Sequence, residues 1–356
     1  MSLNLTDYGL TTHFQQAAEN FPDLFIARIS GQQRQQYRVL TAHGEAAAEV
    51  SGKLVFQATD PTDFPAVGDW VLLDRADDQH GNAIIQQILP RTSALARQAA
   101  GNESKGQMIA ANIDQIFICM SLNADFNLRR LERYLTIAWD SQAQPVVVLT
   151  KADLCDDLAD KIAQVAAISI GVDIITCSSE NGQGFSEIQQ ALSAGTTGAF
   201  IGSSGVGKST LINRLLGQDK LATKAIRADD AKGRHTTTHR ELFLLPDGGL
   251  VIDTPGMREL QIYTGDLDRT FTDIATLATQ CKFNDCQHQS EPGCAVQAAL
   301  ASGELAPERW ASYQKLQHEM AYDGLNSRQL ENEKLNRMFG SRGAVKDLRK
   351  RVKKRH

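Results

Sequence analysis

The sequence predicts a multidomain chain in three folded parts: a small N-terminal β-barrel, a central α/β domain with a mostly parallel sheet, and a C-terminal α-helical module. Three observations predict it. Residues 1–100 hold short Val/Ile/Leu/aromatic runs separated by Gly-containing turns. Residues 101–265 alternate strand-like and helix-like segments. Residues 266–340 are helix-rich around a knot of Cys and His, and a basic tail, residues 341–356, follows.

The charge balance bounds the partners. There are 37 Lys+Arg against 42 Asp+Glu, a formal net charge of −5. Arg342–His356 carries eight basic residues and one Asp, so the rest of the chain stands at −12. An acidic body with a basic end suggests a polyanion touched at that end. No apolar run reaches the ~18 residues of a membrane span. Met1–Asn20 lacks a signal peptide's apolar stretch. Six cysteines in 356 residues are too few for a disulfide scaffold. Three of them beside a histidine fit a metal site in a reducing, cytoplasmic setting.

In the first part, Leu24–Ile29, Tyr37–Thr41, Lys53–Gln57, Asp69–Leu73 and Ala83–Leu89 read as five strands. Ser30-Gly31, His43-Gly44, Val67-Gly68 and His80-Gly81 punctuate them as turns. A five-strand barrel of this size matches the oligonucleotide-binding (OB) type, so RNA contact is the expected use. A barrel used only for packing or protein contact is the alternative, because fold does not fix function.

In the central part, Ile113–Ser121 is a nearly continuous apolar run, as a buried parallel strand should be. Leu128–Trp139 carries a helical apolar stripe. Strand Pro145–Leu149, helix Leu158–Ile168, strand Val172–Cys177 and helix Phe185–Leu192 follow. Then come strand Gly198–Ile201, helix Lys208–Leu216 and strands Glu241–Leu245 and Leu250–Asp253. Downstream, Ala306–Leu335 reads as one or two helices.

Gly202-Ser203-Ser204-Gly205-Val206-Gly207-Lys208-Ser209 fits the phosphate-loop pattern at every fixed position, after a strand and before a helix. The glycines let backbone N–H groups turn in on phosphates. Lys208 supplies a point charge to the β/γ-phosphates, Ser209 offers a hydroxyl to Mg²⁺, and the helix N-terminus adds its positive end. Asp253-Thr254-Pro255-Gly256 ends another apolar strand. There Asp253 can hold Mg²⁺ through water, and the Gly256 N–H can approach a γ-phosphate.

Thr150-Lys151-Ala152-Asp153 also ends a strand. The Asp153 carboxylate can accept from guanine N1 and N2, a donor pair adenine lacks. Thr150 stands where the common form has Asn, so one ring-side contact must differ. Ser178 ends the next strand, where a backbone N–H can cap the guanine oxygen. Gly233-Arg234-His235-Thr236-Thr237-Thr238 lies in a polar stretch without periodicity. One of its threonines, taken as Thr237, is suited to close over Mg²⁺ and the γ-phosphate. Cys281-x4-Cys286-x-His288-x5-Cys294 supplies three thiolates and one imidazole within 14 residues, matching a closed tetrahedral zinc site. Four ligands leave no open position, so that metal is structural. Cys119, Cys155 and Cys177 lie apart from it and are assigned no role.

The order of the motifs is rotated: Thr150–Asp153 and Ser178 precede Gly202–Ser209, Thr236–Thr238 and Asp253–Gly256. In an ordinary GTPase the phosphate loop comes first. A circularly permuted P-loop GTPase domain follows, a cut that sheet and packing can survive. Barrel, permuted domain and Cys₃His site together resemble the RsgA family, the circularly permuted GTPases of small ribosomal subunit biogenesis. The resemblance implies GTP hydrolysis to GDP and phosphate, stimulated by the small (30S) subunit late in its assembly. It implies a barrel that contacts 16S rRNA, one structural Zn²⁺, and Mg²⁺ with GTP. It implies GTP binding by Thr150, Lys151, Ala152, Asp153 and Gly202 through Thr210, to which the residues' own chemistry adds Ser178 and Gly256. Zinc would be held by Cys281, Cys286, His288 and Cys294, and Mg²⁺ by Ser209, Thr237 and Asp253.

Met257 follows Gly256 where many GTPases carry a water-positioning Gln. Met offers water no useful hydrogen bond, so intrinsic hydrolysis should be slow. The expected catalytic set is therefore Lys208, Thr237 and His235, with the missing group supplied by His235 or by the ribosome. A monomer in the cytoplasm, with no membrane contact, is expected. Two other functions compete: an RNA-binding assembly scaffold whose nucleotide site is a latch, and an ATP-dependent enzyme, which Asp153 opposes.

Overall fold

The computed structural model describes residues 2–33, 36–98, 106–123, 125–221, 240–254 and 265–321, and the structural statements below concern these. A 3-10 turn at Leu5–Tyr8 and helix α1 (Thr12–Glu19) lead into β1 (Phe25–Gln33), β2 (Gln36–Thr41) and β3 (Gly44–Val50). Helix α2 (Gly52–Gln57) then leads to β4 (Trp70–Leu73) and β5 (Ala83–Ile88). β1 pairs with β2 and β4, β2 with β3, and β5 with β3 and β4, so the five strands close into a barrel. Only the β3–β5 pair is parallel. Trp70, Ile29, Val39, Leu72 and Ile85 fill its interior.

Three sequence expectations fail inside the barrel, one being the turn at Ser30-Gly31, which lies within β1 where the ladder to β2 shifts register. Lys53–Gln57 is not a strand but lies in α2, where the Ser51 hydroxyl accepts from the Leu54 N–H at 3.2 Å and caps the helix. Its apolar run Leu54-Val55-Phe56 lies largely on the surface, with Phe56 90% exposed. The fifth strand is instead β3, whose Ala46 and Ala48 face the core. Ala and Glu have weak intrinsic strand preference, so pairing on both edges decides the conformation.

An antiparallel ribbon, β6 (Ala94–Gln98) with β7 (Gly106–Ala111), joins the barrel to the central domain. No residue pattern pointed to it. Next come β8 (Gln115–Ser121), α3 (Leu128–Asp140), β9 (Gln144–Thr150), α4 (Leu158–Ile168), β10 (Asp173–Thr176) and α5 (Phe185–Ala191). β11 (Thr197–Gly202), α6 (Lys208–Leu216), β12 (Arg240–Leu244) and β13 (Leu250–Asp253) complete the domain. In the order β10-β9-β8-β11-β13 every pair is parallel, as the expected α/β architecture requires. β12 adds antiparallel to β13 and then pairs with β1 of the barrel, making one sheet of 11 strands.

Strand alternation builds two cores from one strand. Ile116 and Ile118 of β8 pack with Leu131 and Leu135 of α3 and Val165 of α4. Phe117 and Cys119 face the other side, with Ile188 of α5 and Leu211 and Leu215 of α6. The C-terminal module consists of α7 (Leu267–Thr270), α8 (Thr272–Ala278), α9 (Ala295–Ser302) and α10 (Pro307–Ala321). Its Phe271, Ile274, Val296 and Leu316 join the same core as α3 and the barrel.

Arg28 of β1 ties barrel to sheet. Its guanidinium donates to Thr197 Oγ1 at 2.9 Å, to Gly68 O and Asn112 O at 3.3 Å each, and to Tyr8 O. It also lies over the Trp70 ring at 5.4 Å. Burial lowers its pKa to about 10, and Asp114 and Asp69 oppose the fall, so it stays charged at neutral pH. Gly68 is required here: its φ is +93°, and a Cβ would stand 2.1 Å from Ala111 O. Arg28→Met strands several buried acceptors at once. It should lower unfolding stability by ~3 kcal/mol, read by denaturant titration, as breaking a buried charged network typically does. A loss under ~1 kcal/mol would mean the network is energetically neutral.

Candidate functional site

Strand β11 delivers the chain to Gly202 with φ +143°, where a Cβ would sit 2.3 Å from Cys119 O on β8. Only glycine lets the loop leave the sheet this close to its neighbour. Gly205 and Gly207 are also left-handed, at φ +77° and +97°. Helix α6 then begins at Lys208 with no side-chain cap on its N-terminus. Its leading N–H groups are thereby left for an anion. Lys208 Nζ donates to Gly202 O and Ser203 O, both at 2.6 Å, folded across the loop.

The strand ends gather the other motifs at this loop. Thr150 ends β9 and donates its hydroxyl to Val206 O at 2.7 Å. The departure from Asn thus still supplies a side-chain bond to the loop. Lys151 takes a left-handed φ of +60°, and the Ala152 N–H donates to Cys177 O at 3.1 Å. Ser178 Oγ then meets Asp153 Oδ1 at 2.5 Å. The segments around 150–153 and 177–178 therefore form one wall, and neighbouring parallel strands bring it to the phosphate loop.

Asp253 ends β13, two strands from β8 and beside β11. Burial pushes its carboxyl up to about 6, Lys208 pulls it down and Glu241 pushes it up. The adjoining Thr254 hydroxyl donates to Phe200 O at 3.0 Å, fixing the strand end against β11. His235, Thr236–Thr238, Gly256, Met257 and the tail 341–356 lie outside the described residues.

The structure adds residues that no motif announced. Arg130 and Tyr134 of α3 reach Ser203, and Asp125 holds Arg130 at 2.6 Å. Glu132 of the same helix is buried against Arg309 of α10 at 2.9 Å. The only sequence signal was a run of charge on an amphipathic helix, which reads as a solvated face.

The second site is the cysteine knot. One ligand atom from each of Cys281, Cys286, His288 and Cys294 lies within 4.8 Å of every other. His288 Nδ1 is 3.5 Å from Cys281 Sγ and 3.4 Å from Cys294 Sγ, and the two sulfurs are 3.9 Å apart. Tetrahedral zinc with ~2.3 Å Zn–S bonds needs ligand separations of about 3.7 Å, so this donor set fits it. Cys294 also caps α9, accepting from the Gln297 N–H at 3.4 Å. The Glu291 carboxylate accepts from the N–H groups of Gln287, Gln289 and Ser290, holding the turn between ligands. Those bonds draw its pKa down to about 2.

A phosphate loop behind a strand-end Asp, preceded in sequence by the wall that faces it, is the geometry of a rotated GTPase domain. The RsgA GTPase profile matches residues 88–263. The small ribosomal subunit biogenesis GTPase RsgA 2 of Lactiplantibacillus plantarum is 62% identical over 351 residues, 99% of each chain. The chain belongs to the RsgA GTPase family. The RsgA 2 protein of Vibrio parahaemolyticus is 42% identical, over 98% of this chain and 94% of that one. Among solved structures, YloQ, a circularly permuted GTPase, is 27% identical with a TM-score of 0.59, covering 84% of this chain and 95% of that one. YjeQ from Thermotoga maritima, at 24% identity, shares the fold with a TM-score of 0.61 over 84% of this chain and 99% of its own. As a member of the RsgA family the chain is a GTPase.

Two outcomes follow from these geometries. With a folded-state pKa of about 6 against 3.8 unfolded, Asp253 binds protons more tightly in the native state. Its contribution to stability therefore falls as pH rises from about 4 to 6 and is fully unfavourable above that. Asp253→Asn should raise the melting temperature of nucleotide-free, Mg²⁺-free protein at pH 7.5 and raise it less at pH 5. A gain of equal size at both pH values would refute the burial argument. Separately, metal analysis of protein prepared with zinc available should find one Zn²⁺ per chain. Cys286→Ala should lose it and open residues 266–321 to proteolysis while the barrel stays protected, because metal binding is coupled to local folding.

Proposed function

We propose that this chain hydrolyses GTP to GDP and phosphate on the small ribosomal subunit, late in that subunit's maturation. The observation that carries the reading is the full-length likeness to a protein named a small ribosomal subunit biogenesis GTPase. The domains that serve it are residues 1–100 as the barrel that meets 16S rRNA, 101–265 as the permuted GTPase domain, and 266–340 as the zinc-binding module. The tail, 341–356, adds a basic arm for RNA phosphates. The protein acts as a cytoplasmic monomer; among the described residues no helix is long and apolar enough to cross a membrane.

In this reading Gly202–Thr210 cradles the phosphates. Lys208 trades its bonds to the Gly202 and Ser203 carbonyls for β/γ-phosphate oxygens. Ser209, Asp253 and Thr237 would hold Mg²⁺, which when bound would neutralise charge on the β- and γ-phosphates. Asp253 must be ionised to take part, a state that Lys208 favours and burial opposes. Asp153 reads guanine N1 and N2, and Ser178 keeps that carboxylate in place. Gly256 meets the γ-phosphate. His235, with a group from the ribosome, orients the water that attacks the γ-phosphorus. The bond to the β–γ bridging oxygen breaks, GDP leaves, and the water's proton ends on inorganic phosphate.

Lys208→Ala should reduce turnover by ~10²-fold or more, as loss of a preorganised electrostatic group typically does. Asp153→Asn should weaken GTP relative to xanthosine triphosphate, whose position 2 bears oxygen instead of N–H. Unchanged turnover and an unchanged base preference would remove the two assignments respectively. Small subunits should raise turnover and should bind more tightly with a non-hydrolysable GTP analogue than with GDP, by roughly 5–150-fold for a typical coupling. Equal affinities and unstimulated turnover would favour the scaffold instead.

A further inference from the structure

Ser203 is held from two directions. Its backbone carbonyl accepts from Lys208 Nζ at 2.6 Å, and its hydroxyl meets Arg130 Nη1 at 2.5 Å. The Tyr134 side chain, one turn along α3 from Arg130, also bonds the Ser203 hydroxyl. Asp125 Oδ1 steadies Arg130 at 2.6 Å. Its other oxygen, Oδ2, is buried without a hydrogen-bond partner, so its interaction with Arg130 is the one that compensates its burial.

The same helix is anchored on another face. Glu132 is fully buried and receives Arg309 of α10 at 2.9 Å. Arg309 is itself clamped by Asp273 of α8 at 2.5 and 2.7 Å and donates to Thr270 O at 3.1 Å. The residue after Glu132, Arg133, pairs with Glu319 of α10 at 2.7 Å. Arg130 therefore projects from a helix whose position the C-terminal module fixes.

We propose that Arg130 is a positioning residue: acting through the Ser203 hydroxyl, it keeps the phosphate loop in its nucleotide-accepting shape. The inference rests on reading residues 202–209 as the phosphate loop. A cradle of backbone N–H groups works only where its outer wall stands still. When Lys208 turns to phosphate oxygens, its own bonds to Gly202 and Ser203 are given up. The grip of α3 on the Ser203 side chain then remains to hold that wall. Without it the loop samples other shapes, and apparent affinity falls by the fraction of time it is misshapen.

The test compares wild type, Arg130→Met, Arg130→Lys, Ser203→Ala and the Arg130→Met/Ser203→Ala double variant, with fluorescent GTP and GDP titrations and steady-state turnover. Arg130→Met should weaken both nucleotides and raise KM by ~10-fold, the usual scale of a lost charged hydrogen bond, with kcat moving less than ~3-fold. Arg130→Lys, which keeps a charged donor, should recover most of that loss. In the Ser203→Ala background, Arg130→Met should add less than ~2-fold, because the two act as one unit. Unchanged affinities, an undiminished effect in that background, or a fall in kcat at constant KM would each overturn the proposal. If Arg130→Met does not fold, Ser203→Ala decides alone: it leaves α3 intact, so wild-type affinity in it is the refuting result. Wild-type nucleotide binding by Lys208→Ala would instead discredit the phosphate-loop reading itself.

Discussion

The arrangement turns on a single buried guanidinium. Arg28 stands where the barrel strand β1, the turn at Gly68, the turn at Asn112 and the first residue of β11 converge. Gly68 O also accepts from Asn112 Nδ2 at 3.1 Å, while Asn112 O and the Thr197 hydroxyl take the Arg28 guanidinium, so a looser junction would cost buried hydrogen bonds. The constraint propagates along β11. That strand starts at Thr197, beside Arg28, and ends at Gly202, where the phosphate loop begins. Barrel position and loop position are thus set from opposite ends of the same six-residue strand.

Helix α3 plays the corresponding part toward the C-terminal module. Its amphipathic pattern buries Leu131, Leu135 and Ala138 against the sheet, which leaves its charged residues to make contacts sideways. The carboxylate of Glu132 is desolvated and would be costly alone; Arg309, shared with Asp273, offsets that cost. The aromatic stack of Trp310 on Tyr313 then places α10 against the His288 edge of the cysteine knot, at 5.9 Å. Besides its apolar contacts, the module is in this way fastened by the Cys/His cluster at one end and a buried ion network at the other.

Much of this was legible in the sequence where local pattern and tertiary role agree. α4, α6 and β13 fall on the residues their periodicity indicated, because their apolar spacing is also their burial pattern. The phosphate loop, the Asp153 wall and the cysteine knot were readable because their chemistry demands fixed residue types at fixed spacing. β3 was not readable: its alanines carry little strand preference, and only pairing with β2 and β5 extends them. α2 was misread because Leu54, Val55 and Phe56 look like a strand until the Ser51 cap is seen. Arg28 and Arg130 were invisible for another reason. The Arg28 partners lie 20 to 169 residues away and Ser203 lies 73 from Arg130, and a lone Arg in a strand or helix has no periodicity to betray it.

The pairing of β1 with β12 carries a consequence of its own. Gly31 and Gln32 lie opposite Glu241 and Arg240, and the seam is reinforced by Arg38 on Glu241 at 2.5 Å and by Arg240 on Met108 O at 2.8 Å. A strand flanked on both edges cannot slide without breaking two ladders at once. The barrel is therefore mounted on the nucleotide sheet as a fixed jaw of a caliper. Whatever surface it touches is held at a set distance and angle from residues 202–209.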